Sequence, residues 1–227
     1  MPEAVCTFTL TRYPLRQAWW AMSGVGRDRP ALEATPGLRF VRLLGTGRGA
    51  NLGLGADLCR WAMFAVWESA TAWEAFEGSA LRQEQHDRAQ ESFTALLRPL
   101  RWHGQWGGHD PFQGMEKTQP TGLPVAALTR ATLRPARLLP FWRAVPRSMD
   151  GLHDNPGLIA SVGVGEVPLL HQATFSLWHS AEALTAFAYA GAGHREAMRR
   201  ARTGQWFGEE LFARFEVLGT RGLWDGR

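Results

Sequence analysis

Lysine is nearly absent from this chain: Lys117 stands alone, and the rest of the 25 basic residues are arginines. Against 21 acidic residues they leave a formal net charge of only +4. No basic stripe interleaved with aromatics appears, which argues against a nucleic-acid partner. Cysteine is equally scarce. Cys6 and Cys59 build no disulfide framework, and a chain of 227 residues buries enough surface to need neither a staple nor a structural metal. No run approaches the roughly 18 uninterrupted apolar residues that cross a bilayer. With no basic-then-apolar leader at Met1, the expected setting is cytoplasmic and reducing.

What is present in excess is tryptophan, 11 in all. Some must sit in a core, and so many flat side chains also suit a protein that encloses a large apolar ligand. The chain repeats itself. Phe64-Ala-Val-Trp67-Glu-Ser-Ala70 through Phe76 lines up with Phe175-Ser-Leu-Trp178-His-Ser-Ala181 through Phe187, a constant shift of 111 residues from 64 to 175. Thr35-Pro36-Gly37-Leu38 matches Asn155-Pro156-Gly157-Leu158 at a shift of 120, which places an insertion between Gly45 and Asp57 of the first copy. A period this long is a duplicated unit rather than a solenoid.

Periodicity and breakers give each copy the order βαββαβ. In the second copy Val125 to Thr132 reads as a strand, and Pro135 opens a helix reaching about Met149. Leu158 to Gly165 and His171 to Trp178 form a hairpin, Ser180 caps a helix, and Phe212 to Leu218 is the last strand. A helix is also expected from His194 to about Thr203, after a break at Gly191-Ala-Gly193. The expected fold is therefore α+β: tandem ferredoxin-like repeats over residues 1–107 and 124–227, joined by a linker over 108–123, as a dimeric-α/β-barrel-like pseudo-dimer of two four-stranded sheets. In the third strand of the first copy, Phe64 and Val66 point one way and Trp61, Met63, Ala65 and Trp67 the other. One set packs on helices, and the other meets the partner half.

Several runs carry a family resemblance. Leu128-Thr-Arg-Ala-Thr-Leu-Arg-Pro135, Gly165-Glu-Val-Pro-Leu-Leu-His-Gln-Ala-Thr-Phe-Ser176 and Gly208-Glu-Glu-Leu-Phe-Ala-Arg-Phe215 resemble the spheroidene monooxygenase family of carotenoid synthesis. In the first half, Ala65-Val66-Trp67, Leu97-Arg98-Pro99 and Trp106-Gly107-Gly108 are similar to that family too. The resemblance implies a haem-dependent oxidoreductase that adds a keto group at C-2 of acyclic carotenoids such as spheroidene, with dioxygen and reduced ferredoxin. Peripheral membrane contact and homo-oligomerisation are both compatible with it.

A haem b held without a covalent link needs an axial ligand, since no Cys-x-x-Cys-His occurs. His194 is the first candidate. Ala197, Met198 and Ala201 lie on its own helix face and leave room for a flat porphyrin, while Arg195, Arg199 and Arg202 form a neighbouring stripe suited to propionates. The plain alternative is a helix-start histidine beside a solvated arginine face. His171 is the competing ligand or a distal proton donor, on a strand face shared with Ala173, Phe175 and Leu177 that is expected to look toward the helices. Trp142, Trp178, Trp206 and Phe207 are candidates for an apolar substrate path. Gly45-x-Gly47-x-Gly49 lacks the strand-to-helix context of a phosphate loop. A cofactor-free oxygenase and a non-catalytic haem- or lipid-binding protein are the competing functions.

Overall fold

Alternation of side chains along the strands decides how this chain closes. The computed structural model describes residues 3–47, 55–141, 143, 152–166, 170–190 and 206–226. The first half runs β1 (Val5–Arg12), α1 (Ala18–Arg27), α2 (Arg29–Glu33), β2 (Leu38–Gly47), β3 (Ala56–Trp67), α3 (Ala70–Glu77), α4 (Ala80–Arg88) and β4 (Glu91–Gly104). The second runs β5 (Val125–Leu133), a 3-10 turn at Pro135–Arg137, β6 (Leu158–Gly165), β7 (His171–Trp178), α5 (Ala181–Ala190) and β8 (Phe207–Gly222). The expected helix from His194 to Thr203 lies outside the described residues, and of that from Pro135 to Met149 residues 135–141 and 143 are described, opening as the 3-10 turn and continuing as helix from Leu138. Serines start the helices: Ser180 Oγ accepts the Ala183 N–H at 3.2 Å, as the sequence implied, and Ser69 Oγ that of Ala72 at 3.1 Å.

The eight strands form one closed antiparallel barrel in the order β1-β3-β2-β6-β7-β5-β8-β4. A barrel-like assembly of two four-stranded sheets was expected, and the halves join edge to edge into one closed ring, because edge strands left unpaired would waste their backbone hydrogen bonds. The two seams differ. β4 and β8 pair from Phe93–Gly222 to Gly104–Leu211, which lengthens β8 well beyond the expected Phe212–Leu218. Among the described residues β2 and β6 pair only at Gly45–Gly165 and Thr46–Val164.

Both halves use the same register. Trp67 stands opposite Val5 and Leu38, and Trp178 opposite Val125 and Leu158. Each tryptophan meets a phenylalanine of the following helix, Phe76 at 5.0 Å and Phe187 at 5.2 Å between ring centroids, both tilted by 36°. Of the two sets, Met63, Ala65 and Trp67 face the helices, with Trp73, Phe76 and Leu32. The other set fills the lumen, where Phe64 and Val66 join Phe8, Phe112, Phe175 and Phe215. Phe8 and Phe175, one from each half, stack with centroids 3.7 Å apart and planes 9° off parallel. The lumen is thus a packed core and not a channel. Among the described residues, no helix is long and apolar enough to cross a membrane.

Because one core serves both halves, they should unfold together. Phe8→Ala and Phe175→Ala are each expected to cost about 3–5 kcal/mol in urea denaturation while leaving a single cooperative transition. Two resolved transitions, only one of them shifted, would contradict the shared core.

Candidate functional site at one end of the barrel

Each end of the lumen is capped by a tryptophan from the segment after β4 or β8. The segments share a short pattern 118 residues apart, Gly104-Gln-Trp106-Gly-Gly108 and Gly222-Leu-Trp224-Asp-Gly226. Glycine is required where each begins. Gly104 and Gly222 have φ of +95° and +80°, and a Cβ would lie about 2 Å from the carbonyl oxygen of Glu210 or Ser92. A carboxylate then holds each cap. Glu209 accepts the N–H groups of Gly107 and Gly108 at 2.9 and 2.6 Å, as Glu91 accepts those of Asp225 and Gly226 at 2.9 Å.

The Trp224 end is closed by Asp225, which binds Arg12 at 2.5 Å and Arg60. The Trp106 end is chemically richer. Arg130 projects from β5 with only 3% of its side chain exposed, ion-paired to Glu209, with Glu166 at 3.7 Å. Glu166, just past β6, also meets Arg42 Nε at 3.0 Å and accepts the Trp106 indole N–H at 2.8 Å. His171, the first residue of β7, places Nδ1 3.6 Å from the same Glu166 oxygen, near but beyond direct hydrogen bonding. The buried Nε of Arg130 has no partner among the described residues. Glu166 therefore stands between the guanidinium groups of Arg42 and Arg130, the indole N–H of Trp106 and the imidazole of His171, and gathers four side chains from separate segments at one barrel end.

Burial acts to raise the Glu209 carboxyl, but the Gly108 and Gly107 N–H groups and the Arg130 guanidinium outweigh it and hold the group below the usual carboxylate range. Burial also weakens the hold of Arg42 on its proton, against the pull of Glu166. Cys6, fully buried, is pushed far above the ordinary thiol range by that burial and offers no nucleophile.

The two halves differ most on the faces that meet helices. In the first, the cross-strand pairs Val41–Ala65 and Leu43–Met63 pack under the helices. Their counterparts are Ser161–Ser176 and Gly163–Thr174. The second half thus carries small side chains at these positions between β6 and β7, with Ser161 and Gly163 buried.

No protein-family model matches the chain. It is 35% identical to the spheroidene monooxygenase of Rhodobacter capsulatus over 210 residues, 92% of this chain and 87% of that one. It is 38% identical to the spheroidene monooxygenase of Rubrivivax gelatinosus over 215 residues, 94% of this chain and 82% of that one. The chain belongs to the spheroidene monooxygenase family. It is an oxidoreductase of the monooxygenase kind. Among solved structures, an aldoxime dehydratase shares the fold at a TM-score of 0.64 and 13% identity, over 94% of this chain and 81% of that one.

The predicted site residues of this family member divide into two groups. His194, Arg195, Met198 and Arg199 lie outside the described residues, as does Trp142. His171 is described, and its surroundings correct one expectation: Ala173, Phe175 and Leu177 of its face line the lumen, so the face turned to the helices is that of Gln172, Thr174 and Ser176. Trp178 and Trp206 are buried. Trp178 packs under α5 with Leu184 and Phe187 and lines no path. Arg42, Arg130 and Glu166 were missed in sequence because each is an isolated charge on a strand or turn. The repeated Gly-x-Trp-x-Gly was the legible signal for that end.

Glu209 titrates below 4.5 when folded and near that value when unfolded, so its stabilisation is full above pH 4.5 and is lost as pH falls through the folded value. Glu209→Gln should cost about 2 kcal/mol at pH 7. The deficit relative to wild type should shrink as the pH is lowered below 4.5, in urea melts at a series of pH values. A deficit independent of pH would reject the charge-based role.

Proposed function

We propose that the chain is a haem b-dependent monooxygenase that introduces a keto group at C-2 of an acyclic carotenoid such as spheroidene, with dioxygen as oxidant and reduced ferredoxin as electron donor. Membership of the spheroidene monooxygenase family carries the substrate class. The haem reading is supported by the second half's helix-facing surface. Where Val41, Leu43, Met63 and Ala65 stand in the first half, the second has the small side chains of Ser161, Gly163, Thr174 and Ser176, which would let a flat group approach the sheet closely. The described residues hold no cluster of three or more His, Cys, Asp or Glu placed for a metal ion, which is compatible with a porphyrin needing one axial ligand.

In this reading His194 would hold the haem iron, Met198 would belong to the same cofactor site, and Arg195 and Arg199 would pair with the propionates. Haem, when bound, supplies the redox iron at which dioxygen is activated. The protein's tasks are to hold the terminal carbons of the polyene, exclude water and deliver protons. His171 serves the last: each oxygen insertion consumes protons, and its imidazole stands at the charged end of the barrel with Nδ1 3.6 Å from the Glu166 carboxylate. Two hydroxylations at one carbon give a gem-diol, which loses water to leave the ketone. The two halves are read as products of duplication, residues 1–107 and 124–227 joined by 108–123, with the cofactor in the second.

Protein expressed with sufficient haem is expected to show a Soret band, and cells making an acyclic carotene, given this gene and a ferredoxin system, to accumulate a red-shifted 2-keto product. His194→Ala should lose the band while remaining folded. His171→Ala should keep haem and lose about a hundredfold in turnover. An unchanged spectrum in the His194 variant would move the ligand to His171. A colourless protein that still adds oxygen would favour a cofactor-free oxygenase. A haem-loaded, reducible protein that adds no oxygen to any acyclic carotene would leave a binding protein.

A further inference from the structure

We propose that the outer side of α1 is the surface by which this protein seats on an anionic lipid bilayer. Leu15, just before α1, and Trp19 within it are each 78% exposed, with Val25 at 45% and Met22 at 36%. Spacings of four, three and three residues keep these side chains on one side of the helix. Trp20 next door shows what a satisfied tryptophan looks like here. Its ring is covered by the guanidinium groups of Arg27 at 4.0 Å and Arg88 at 4.6 Å and meets Tyr13 edge-on at 5.6 Å. Trp19 projects into water instead, and indole is the side chain best suited to a membrane interface.

The charge around the stripe matches that partner. Arg16, Arg27, Arg29 and Arg39 are exposed around it. Of the acids in the segment, Asp28 is buried against Arg27 at 2.8 Å and Glu33 is bound by Arg29 at 2.8 Å. An apolar face collared by arginine is the pattern of a helix lying in the headgroup region of an acidic bilayer.

A groove of about 630 Å³ begins at the edge of this surface. Val25 belongs to both. Its lining mixes the apolar side chains of Leu32, Leu38, Phe40, Val41 and Leu43 with the charged ones of Arg29, Glu33, Arg39, Arg42 and Glu166, the last two belonging to the charged end of the barrel. The apolar part of this lining offers a substrate dissolved in lipid a way from the bilayer to the barrel end, since a polyene has to leave the bilayer without crossing water. The inference in this respect rests on the carotenoid reading.

The test is sedimentation of the purified chain with carotenoid-free vesicles, of phosphatidylcholine alone or mixed with phosphatidylglycerol. Binding to the mixed vesicles is expected, weakened by salt, and reduced about tenfold or more in the Trp19→Ser, Met22→Ser double variant. Leu58→Ser with Leu223→Ser, which alters exposed apolar residues elsewhere, should bind as wild type does. Both double variants should keep the thermal midpoint and the turnover of detergent-dispersed carotene. Absence of binding by the wild type, or undiminished binding by the Trp19, Met22 variant, overturns the proposal. So does a concentration-dependent dimer without vesicle binding that this variant abolishes, which assigns the face to a second copy. Loss of reduction by ferredoxin in the variant, again without vesicle binding, assigns it to a protein partner. Vesicle binding is read without substrate, so it can fail while turnover of dispersed carotene stands, and turnover can fail while binding stands.

Discussion

The stacked pair of Phe8 and Phe175, 3.7 Å apart at the centre of the barrel, is the constraint from which the rest of the arrangement follows. One ring comes from each half, so neither half can complete its core alone. With Phe64, Phe112 and Phe215 beside them, these rings leave no room for a ligand inside. Two α+β halves could enclose a cavity between their sheets. Among the described residues these rings fill that space, which leaves the outside of the barrel and its ends as binding surfaces.

The two ends answer one mechanical problem in the same way and then diverge. Each closes the lumen with an indole, held by a glutamate that accepts two consecutive backbone N–H groups. At the Trp224 end the adjoining charges are two arginines on one aspartate. The Trp106 end adds Glu166 and His171, and among the described residues the buried Nε of Arg130 has no partner there. Buried charge of this kind is costly unless fully paired. The Trp106 end thus carries more polar groups than the Trp224 end does.

Divergence outside the barrel follows the same division. The first half fills the space between sheet and helices with Val41, Leu43 and Met63, and it carries the exposed stripe of α1. The second half keeps Trp178 and Phe187 as an anchor but replaces the bulk beyond them with serine, glycine and threonine. One copy thus retains the packing that stabilises the fold, and the other is relieved of it. The chain covers 92% of itself in its match to the Rhodobacter capsulatus relative, so both halves belong to the likeness and not the second alone.

Local features of this fold were legible in the sequence because they depend on neighbours along the chain. The repeat from Phe64 to Phe175, the serine cap at Ser180, and the strand bounds Leu158–Gly165 and His171–Trp178 all reflect short-range periodicity and hydrogen bonding. Alternation also sorted His171 with Ala173, Phe175 and Leu177, since a strand has two faces and nothing else. Which face looks inward is not a local property. It is set when β4 meets β8 and β2 meets β6, and that closure turned the His171 face to the lumen rather than to the helices. The meeting of Arg42, Arg130, Glu166 and Glu209 has the same origin: four charges from four segments, none bearing a signal alone, brought to one barrel end by a ring of strands that exists only in three dimensions.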